Sequence, residues 1–334
     1  MFEDSGLQRD RDVRRVRHPV RPASEVKPRP FRFGVSMATA SSAAEWQAKA
    51  RRAEALGYSA LLIPDHLADC LSPWSALTAA AMATEQLRVG TFVLNNDFRH
   101  PALIAREAAT LDLLSRGRLE LGLGAGHMRR EYDEAGMSFD PASVRVDRLG
   151  ESLAIVKALL AGDAVDYQGS HYQVRGHAVW PVPARRPPIL VGGNGDRLLT
   201  LAAREADIVG LAGFSPRRGG TENDLSAFTA DGIETKLALI KEGAHYRLPE
   251  VELNALVQQV MVTHHRRSAA EEMPLRRRLS AEEILDSPFL LIGTHDQIAE
   301  ALVGRRERYG ISYWVVFEPA MEALAPVVAR LRDS

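Results

Sequence analysis

From Phe31 onward, short apolar runs alternate with longer stretches whose apolar positions recur every three or four residues. That alternation predicts strands and amphipathic helices in turn. Residues 31–37 form the first apolar run. A helix over 43–56 follows, with Trp46, Ala50, Ala53 and Leu56 on one face and Gly57 as its stop. Residues 60–64 predict a second strand. Ser72-Pro73, a cap followed by proline at the first helical position, opens an alanine-rich helix to about Gln86. Residues 87–94 predict a third strand, Pro101 the next helix, the Ser115-Arg116-Gly117 turn its end, and 119–123 a fourth strand. A long helix over 141–160 carries Leu149, Leu153, Val156 and Leu160 in register.

Residues 163–187 break the rhythm. Val165-Asp166-Tyr167 and His171 through Val174 predict a small hairpin, and a proline-rich connector runs on to Pro187-Pro188. The alternation resumes with a strand at 189–191, a helix at 196–206 and a strand at 208–211. A glycine- and serine-rich loop over 212–230 leads to a helix near 232–245 and a strand at 255–263. The polar segment 264–290 predicts helix, with Ser280-x-x-Glu283 as a capping box; Thr294-x-x-Gln297 caps another helix that ends before Gly310. A last strand at 312–317 and a last helix at 320–332 complete about eight βα units without a central break. This favours a closed α/β fold, a (β/α)8 TIM barrel over 31–334, rather than a doubly wound sheet. The segments 163–187 and 212–230 then become insertions at its C-terminal mouth.

Length and composition agree with a barrel: 334 residues, 46% hydrophobic and 25% charged. Lys plus Arg (42) against Asp plus Glu (43) leaves a net charge of -1, which makes no case for nucleic acid or an anionic membrane as partner. The lone Cys70 cannot form an internal disulfide, and no apolar run suits a spanning helix or a signal peptide, so a cytoplasmic protein is expected. Residues 1–30 differ in kind. Seven arginines and Pro19, Pro22, Pro28 and Pro30, with few apolar residues to pack, predict a flexible leader.

Candidate chemistry collects where strands stop. Asp65-His66 ends the second strand; the histidine suits a general base or a hydrogen bond to a hydride-accepting ring, and the alternative is a structural pair. The run from Gly90 passes from apolar residues into Asn95-Asn96-Asp97. Gly122-x-Gly124-x-Gly126 lacks the setting of a dinucleotide fingerprint and reads as a turn where backbone approaches a flat ligand. His127, Arg130 and Glu131 would line the rim, Arg130 as an anion clamp. Gly192-Gly193-Asn194-Gly195, ahead of the 196–206 helix, is the better anion site, because amides at a helix start favour phosphate. Gly-Lys-Ser/Thr of a P-loop, His-Glu-x-x-His, paired cysteines and Gly-x-Ser-x-Gly are absent, so triphosphate hydrolysis, metal sites and a serine nucleophile are not expected.

As an ordered set, 60–66, 87–101, 117–126 and 188–193 resemble the luciferase-like monooxygenase superfamily, and within it the branch using the deazaflavin coenzyme F-420. The resemblance covers 31–332 and implies a dimeric barrel with the cofactor at its C-terminal mouth. It implies a cis peptide at Phe92-Val93 behind the ring, Asp65 and His66 near the reactive face, and Asn95 and Gly126 beside the ring. It further implies Arg130 on the ring or ribityl side, and a phosphate cradle of Gly192, Gly193 and Asn194. Some dehydrogenases of this branch carry a glutamate proton donor where this chain has His127, so His127 becomes a candidate second acid. The expectation is an F-420-dependent oxidoreductase moving hydride to or from a small-molecule substrate. A reduced-FMN monooxygenase and a non-enzymatic flavin-binding barrel are its rivals.

Overall fold

Aliphatic runs buried on both faces form eight strands: β1 (Arg32–Ser36), β2 (Ala60–Ile63), β3 (Arg88–Thr91), β4 (Leu119–Gly124), β5 (Ile189–Gly193), β6 (Ile208–Leu211), β7 (Glu252–Leu256) and β8 (Ile311–Phe317). Each pairs in parallel with its neighbours in sequence. Register is set by pairs such as Leu61 with Val89, Val89 with Leu119 and Leu190 with Ile208. Val35 opposite Val316 joins β8 back to β1 and closes the ring. The computed structural model describes residues 28–216 and 223–334. Residues 1–27 of the expected leader and 217–222 of the expected loop lie outside the described residues.

Helices α1 (Ala43–Ala55), α2 (Pro73–Ala83), α3 (Pro101–Leu114), α4 (Ala142–Leu160), α5 (Asp196–Glu205), α6 (Ala230–Ala244), α7 (His295–Tyr309) and α8 (Met321–Leu331) surround the barrel. Their apolar faces and the outward strand residues make the large core, including Trp46, Ile104, Leu153 and Trp314. A smaller core fills the barrel itself: Ala60, Leu62, Leu190, Ile208, Tyr313 and Val315, with Phe92 and Val93 against it. Each large aliphatic side chain buried this way stabilises the fold by ~1.5–3 kcal/mol.

The N-terminal end of the barrel is closed by charge. Glu120, 1% exposed, accepts from Arg32 at 2.8 Å and Arg88 at 2.7 Å, and the Tyr313 hydroxyl donates to it at 3.2 Å. Arg32 also faces Glu252 at 3.4 Å.

Several boundaries differ from the sequence expectations. Helix α2 stops at Ala83 because the Glu54 carboxylate takes the backbone N–H groups of Glu85, Gln86 and Leu87 at 2.7–3.0 Å and draws the chain straight. Ser72 makes no side-chain cap. The third strand is interrupted: β3 ends at Thr91, the Phe92-Val93 peptide is cis, and pairing resumes at Leu94–Asn95. The strand expected at 255–263 is two, β7 and Gln259–Val262, the latter pairing with Leu290–Gly293 in a separate sheet. A short helix at Arg129–Glu134 is new. The hairpin forms from Val165–Gln168 and Gln173–His177, and both capping boxes are made.

Candidate functional site

At the C-terminal mouth, the chain after β2 turns so that Asp65 and His66 serve different neighbours. Asp65 is buried and ion-paired with Arg99, whose Nη2 lies 3.1 Å from Oδ1, and its Oδ2 accepts the Asn95 N–H at 3.0 Å. It therefore pins the segment after β3 in place. His66 points the other way, about one-third exposed, with Nδ1 2.9 Å from Oε1 of Glu131. The Glu131 side chain is only 3% exposed.

His127 stands beside this pair, its ring edge-on to His66 with centroids 5.7 Å apart and planes at 79°. The residue is exposed to solvent at the rim, with protein groups crowded about one side of the ring. Burial there lowers the His127 pKa, His66 and Arg145 lower it further, and Glu131 partly opposes them. His127 reaches this place because Gly126 turns with φ +72°; a Cβ there would lie 2.1 Å from the Tyr132 hydroxyl. That hydroxyl is 2.9 Å from Asn95 Oδ1, which also accepts the Asp97 N–H at 3.1 Å. Asn95 is thus held by a buried tyrosine and its own turn.

The floor of the mouth is glycine backbone around Val93. A Cβ at Gly124 would lie 2.5 Å from a Val93 methyl, one at Gly192 3.3 Å from the other, and one at Gly122 2.0 Å from the Thr91 carbonyl. A side chain at 122 would need the strand backbone to move, and one at 124 would displace the Val93 side chain. Beyond β5, Gly195 caps α5 without a side chain, and the space where its Cβ would point is open. Asn194 is 7% exposed, and its Oδ1 has no hydrogen-bond partner. Amides of the α5 first turn and an unsatisfied buried amide side chain therefore share one wall.

The structure brings Asp65, His66, Asn95, Gly126 and His127 into one network of contacts, and Val93 against Gly192. Arg130 is exposed on the Arg129–Glu134 helix, 3.4 Å from Glu134. Two inward arginines escaped the sequence reading. Arg145 donates to the Gly126 carbonyl at 2.8 Å and lies over the Phe139 ring, while Arg148 pairs with Asp97 at 2.8 Å. Their spacing of three along α4 was the available signal. Two hollows of about 360 and 350 Å³ lie elsewhere, between α2 and α3 and at the starts of α1 and α2, and neither touches His66 or the glycine floor. The mouth is assigned on convergent polar groups rather than on cavity size. Among the described residues, no helix is long and apolar enough to cross a membrane, and no cluster of three His, Cys, Asp or Glu is placed to hold a metal.

Comparison with known proteins gives three findings. A family model described as luciferase-like monooxygenase matches residues 29–223. An F-420-dependent glucose-6-phosphate dehydrogenase of Microbacterium testaceum is 34% identical over 165 residues, 46% of this chain and 48% of that protein, so the chain spans about half the length of this relative. Among solved structures, the coenzyme F-420-dependent tetrahydromethanopterin reductase of Methanopyrus kandleri superposes with a TM-score of 0.71 at 19% identity, covering 91% of this chain and 99% of that one. An F-420-dependent secondary alcohol dehydrogenase gives 0.70 at 18% identity, covering 91% and 98%. At those identities the two structures bear on the fold, which is the same (β/α)8 barrel.

Proposed function

The chain belongs to the luciferase-like monooxygenase family, and on that premise we propose that it is an oxidoreductase dependent on coenzyme F-420, acting on a small organic molecule. One observation carries this reading. The His66–Glu131 pair and an open glycine turn that exposes the first backbone N–H groups of α5 stand at the same end of the barrel. The F-420-dependent relative supports the choice of cofactor.

The residues fit such a cofactor. Gly192, Gly193, Asn194 and Gly195, with the first amides of α5, would hold its phosphate, because a side chain at 195 would enter the open space there. Phe92, Val93 and Asn95 would border its ring, with Gly126 allowing close approach and exposed Arg130 reaching the tail. When bound, F-420 supplies a two-electron hydride donor or acceptor. His66 would hold or move a proton at Nε2, and His127, its pKa lowered by its surroundings, would be a second proton carrier. Asp65 would act through Arg99 and the Asn95 backbone by fixing the ring wall.

The proposal extends to a homodimer in a reducing cytoplasm. Met82 on α2 and Leu103, Leu113 and Leu114 on α3 are 46–69% exposed, flank the hollow lined by Trp74, and would be covered by a second copy. Free Cys70 suits a reducing compartment.

Titration of the purified protein with F-420 and with FMN, side by side, tests the reading. Expected is the tighter binding for F-420, weakened more than tenfold (~1.4 kcal/mol) by Gly193→Val, whose side chain would push Leu198 and the turn. Micromolar FMN binding without F-420 binding would favour the monooxygenase chemistry instead. Light scattering of the same sample at the mass of one chain would remove the dimer.

A further inference from the structure

Three buried carboxylates surround the mouth, and their partners differ: Asp65 faces Arg99, Asp97 faces Arg148, and Glu131 faces His66. The first two pairs bind permanently charged guanidinium groups and tie loops together. The third ties a carboxylate to a ring that can change its protonation. Glu131 comes from the Arg129–Glu134 helix after β4 and His66 from the turn after β2, so the contact spans two βα loops.

We propose that Glu131 is a positioning residue for His66. An ionised carboxylate only accepts hydrogen bonds, so Oε1 at 2.9 Å requires a proton on Nδ1. A neutral His66 is then held as the Nδ1–H tautomer, and Nε2 keeps its lone pair. Taking up one proton at Nε2 makes an imidazolium whose Nδ1 proton stays on the Glu131 oxygen, so the ring gains and loses its proton at one nitrogen. An unanchored imidazole populates both tautomers and presents the wrong one part of the time. His127, edge-on at 5.7 Å, limits how far the ring can swing. The nearby Asp65 carboxylate is engaged by Arg99 and the Asn95 N–H, which leaves Glu131 as the acceptor for Nδ1. The inference rests on the proposed oxidoreductase only for what the Nε2 proton is exchanged with.

The test reads the tautomer directly. Cofactor-free protein labelled with ¹⁵N-histidine is examined by long-range ¹H–¹⁵N correlation in alkaline buffer, with His66→Asn identifying the His66 signals. Expected is an Nδ1–H pattern in the wild type, a mixture of tautomers in Glu131→Leu, and an intermediate result in Glu131→Gln, whose amide can accept or donate. An Nε2–H pattern in the wild type, or an Nδ1–H pattern unchanged in either variant, overturns the proposal. If Glu131→Leu does not fold, the wild-type and Glu131→Gln spectra decide. With F-420 and substrate, single-turnover rates should fall at least ~10-fold in Glu131→Leu and less in Glu131→Gln, with F-420 affinity little changed. Absence of any F-420 turnover in the wild type would remove the cofactor reading and leave the tautomer result standing.

Discussion

The two ends of the barrel are both lined with buried charge, and they treat it differently. At the N-terminal end, Arg32, Arg88, Glu120 and Glu252 are two cations and two anions packed with Tyr313. At the C-terminal mouth, Asp65–Arg99 and Asp97–Arg148 repeat that pattern of charge cancelled locally. What is left over includes the His66–Glu131 pair, His127 and three buried atoms without a hydrogen-bond partner, Asn96 Oδ1, Arg145 Nε and Asn194 Oδ1. One end is a plug. The other is half plug and half unfilled site, and its leftover groups are those with proton chemistry or a missing partner. Buried polarity by itself does not mark function; polarity able to change protonation at an open end of the barrel is the better marker.

If the N-terminal network is structural, breaking it should give the largest effect on stability and none on chemistry. Glu120→Ala would leave Arg32 and Arg88 facing each other with Glu252 as the remaining anion. Removing one partner of a buried ion pair costs about 3–5 kcal/mol, and the lower end applies because both arginine side chains are about a quarter exposed. Denaturant unfolding would measure the loss, and turnover per folded molecule should equal that of the wild type. A loss below ~1 kcal/mol would make the plug an ordinary solvated pair.

The mouth should respond the opposite way. His66→Asn keeps a side-chain N–H near the Nδ1 position, so Glu131 retains a donor while Nε2 is lost. Single-turnover rates should drop by ~100-fold or more, the usual contribution of a general acid or base, with the melting temperature close to that of the wild type. A structural histidine would give the reverse: a destabilised protein whose folded fraction reacts normally. Rates and melts on the same preparation separate the two.

The plug and the mouth were not equally legible in the sequence. The barrel, its closure and nearly every strand followed from apolar runs of strand length, because parallel strands buried on both faces are apolar along most of their length. The glycine turns were legible for a similar reason: Gly122, Gly124 and Gly126 are dictated by local space and backbone angle. The plug was invisible. Arg32, Arg88, Glu120 and Glu252 lie on four strands, and nothing in their spacing announces that they meet. Glu131 escaped for the same reason. It was named as a rim residue, but its partner lies 65 positions away and its helix of six residues is too short to show a period. Arg130, beside it, was picked for its charge and stands exposed with Glu134. Charge type could be read from the sequence, but the direction each side chain takes depends on how the loops pack.

His127 offers the smallest and most local test of the contrast, since the plug contains no imidazole. Its pKa in the folded protein is lowered, first by burial, then by His66 and Arg145, with Glu131 opposing. The unfolded chain therefore binds a proton at His127 more readily than the folded one, and stability falls as pH drops below the ordinary histidine value of ~6.5. The loss grows until the lowered folded pKa is reached and is constant below it. His127→Asn has no proton to gain, so that contribution to acid sensitivity disappears while carboxylate titration elsewhere is unchanged. Melting temperatures at about pH 8 and about pH 5.5 should differ less in the variant than in the wild type. An equal or larger gap would mean that the folded mouth accommodates the His127 imidazolium. His127 would then differ little from the charges of the plug, and the contrast between the two ends would rest on His66–Glu131.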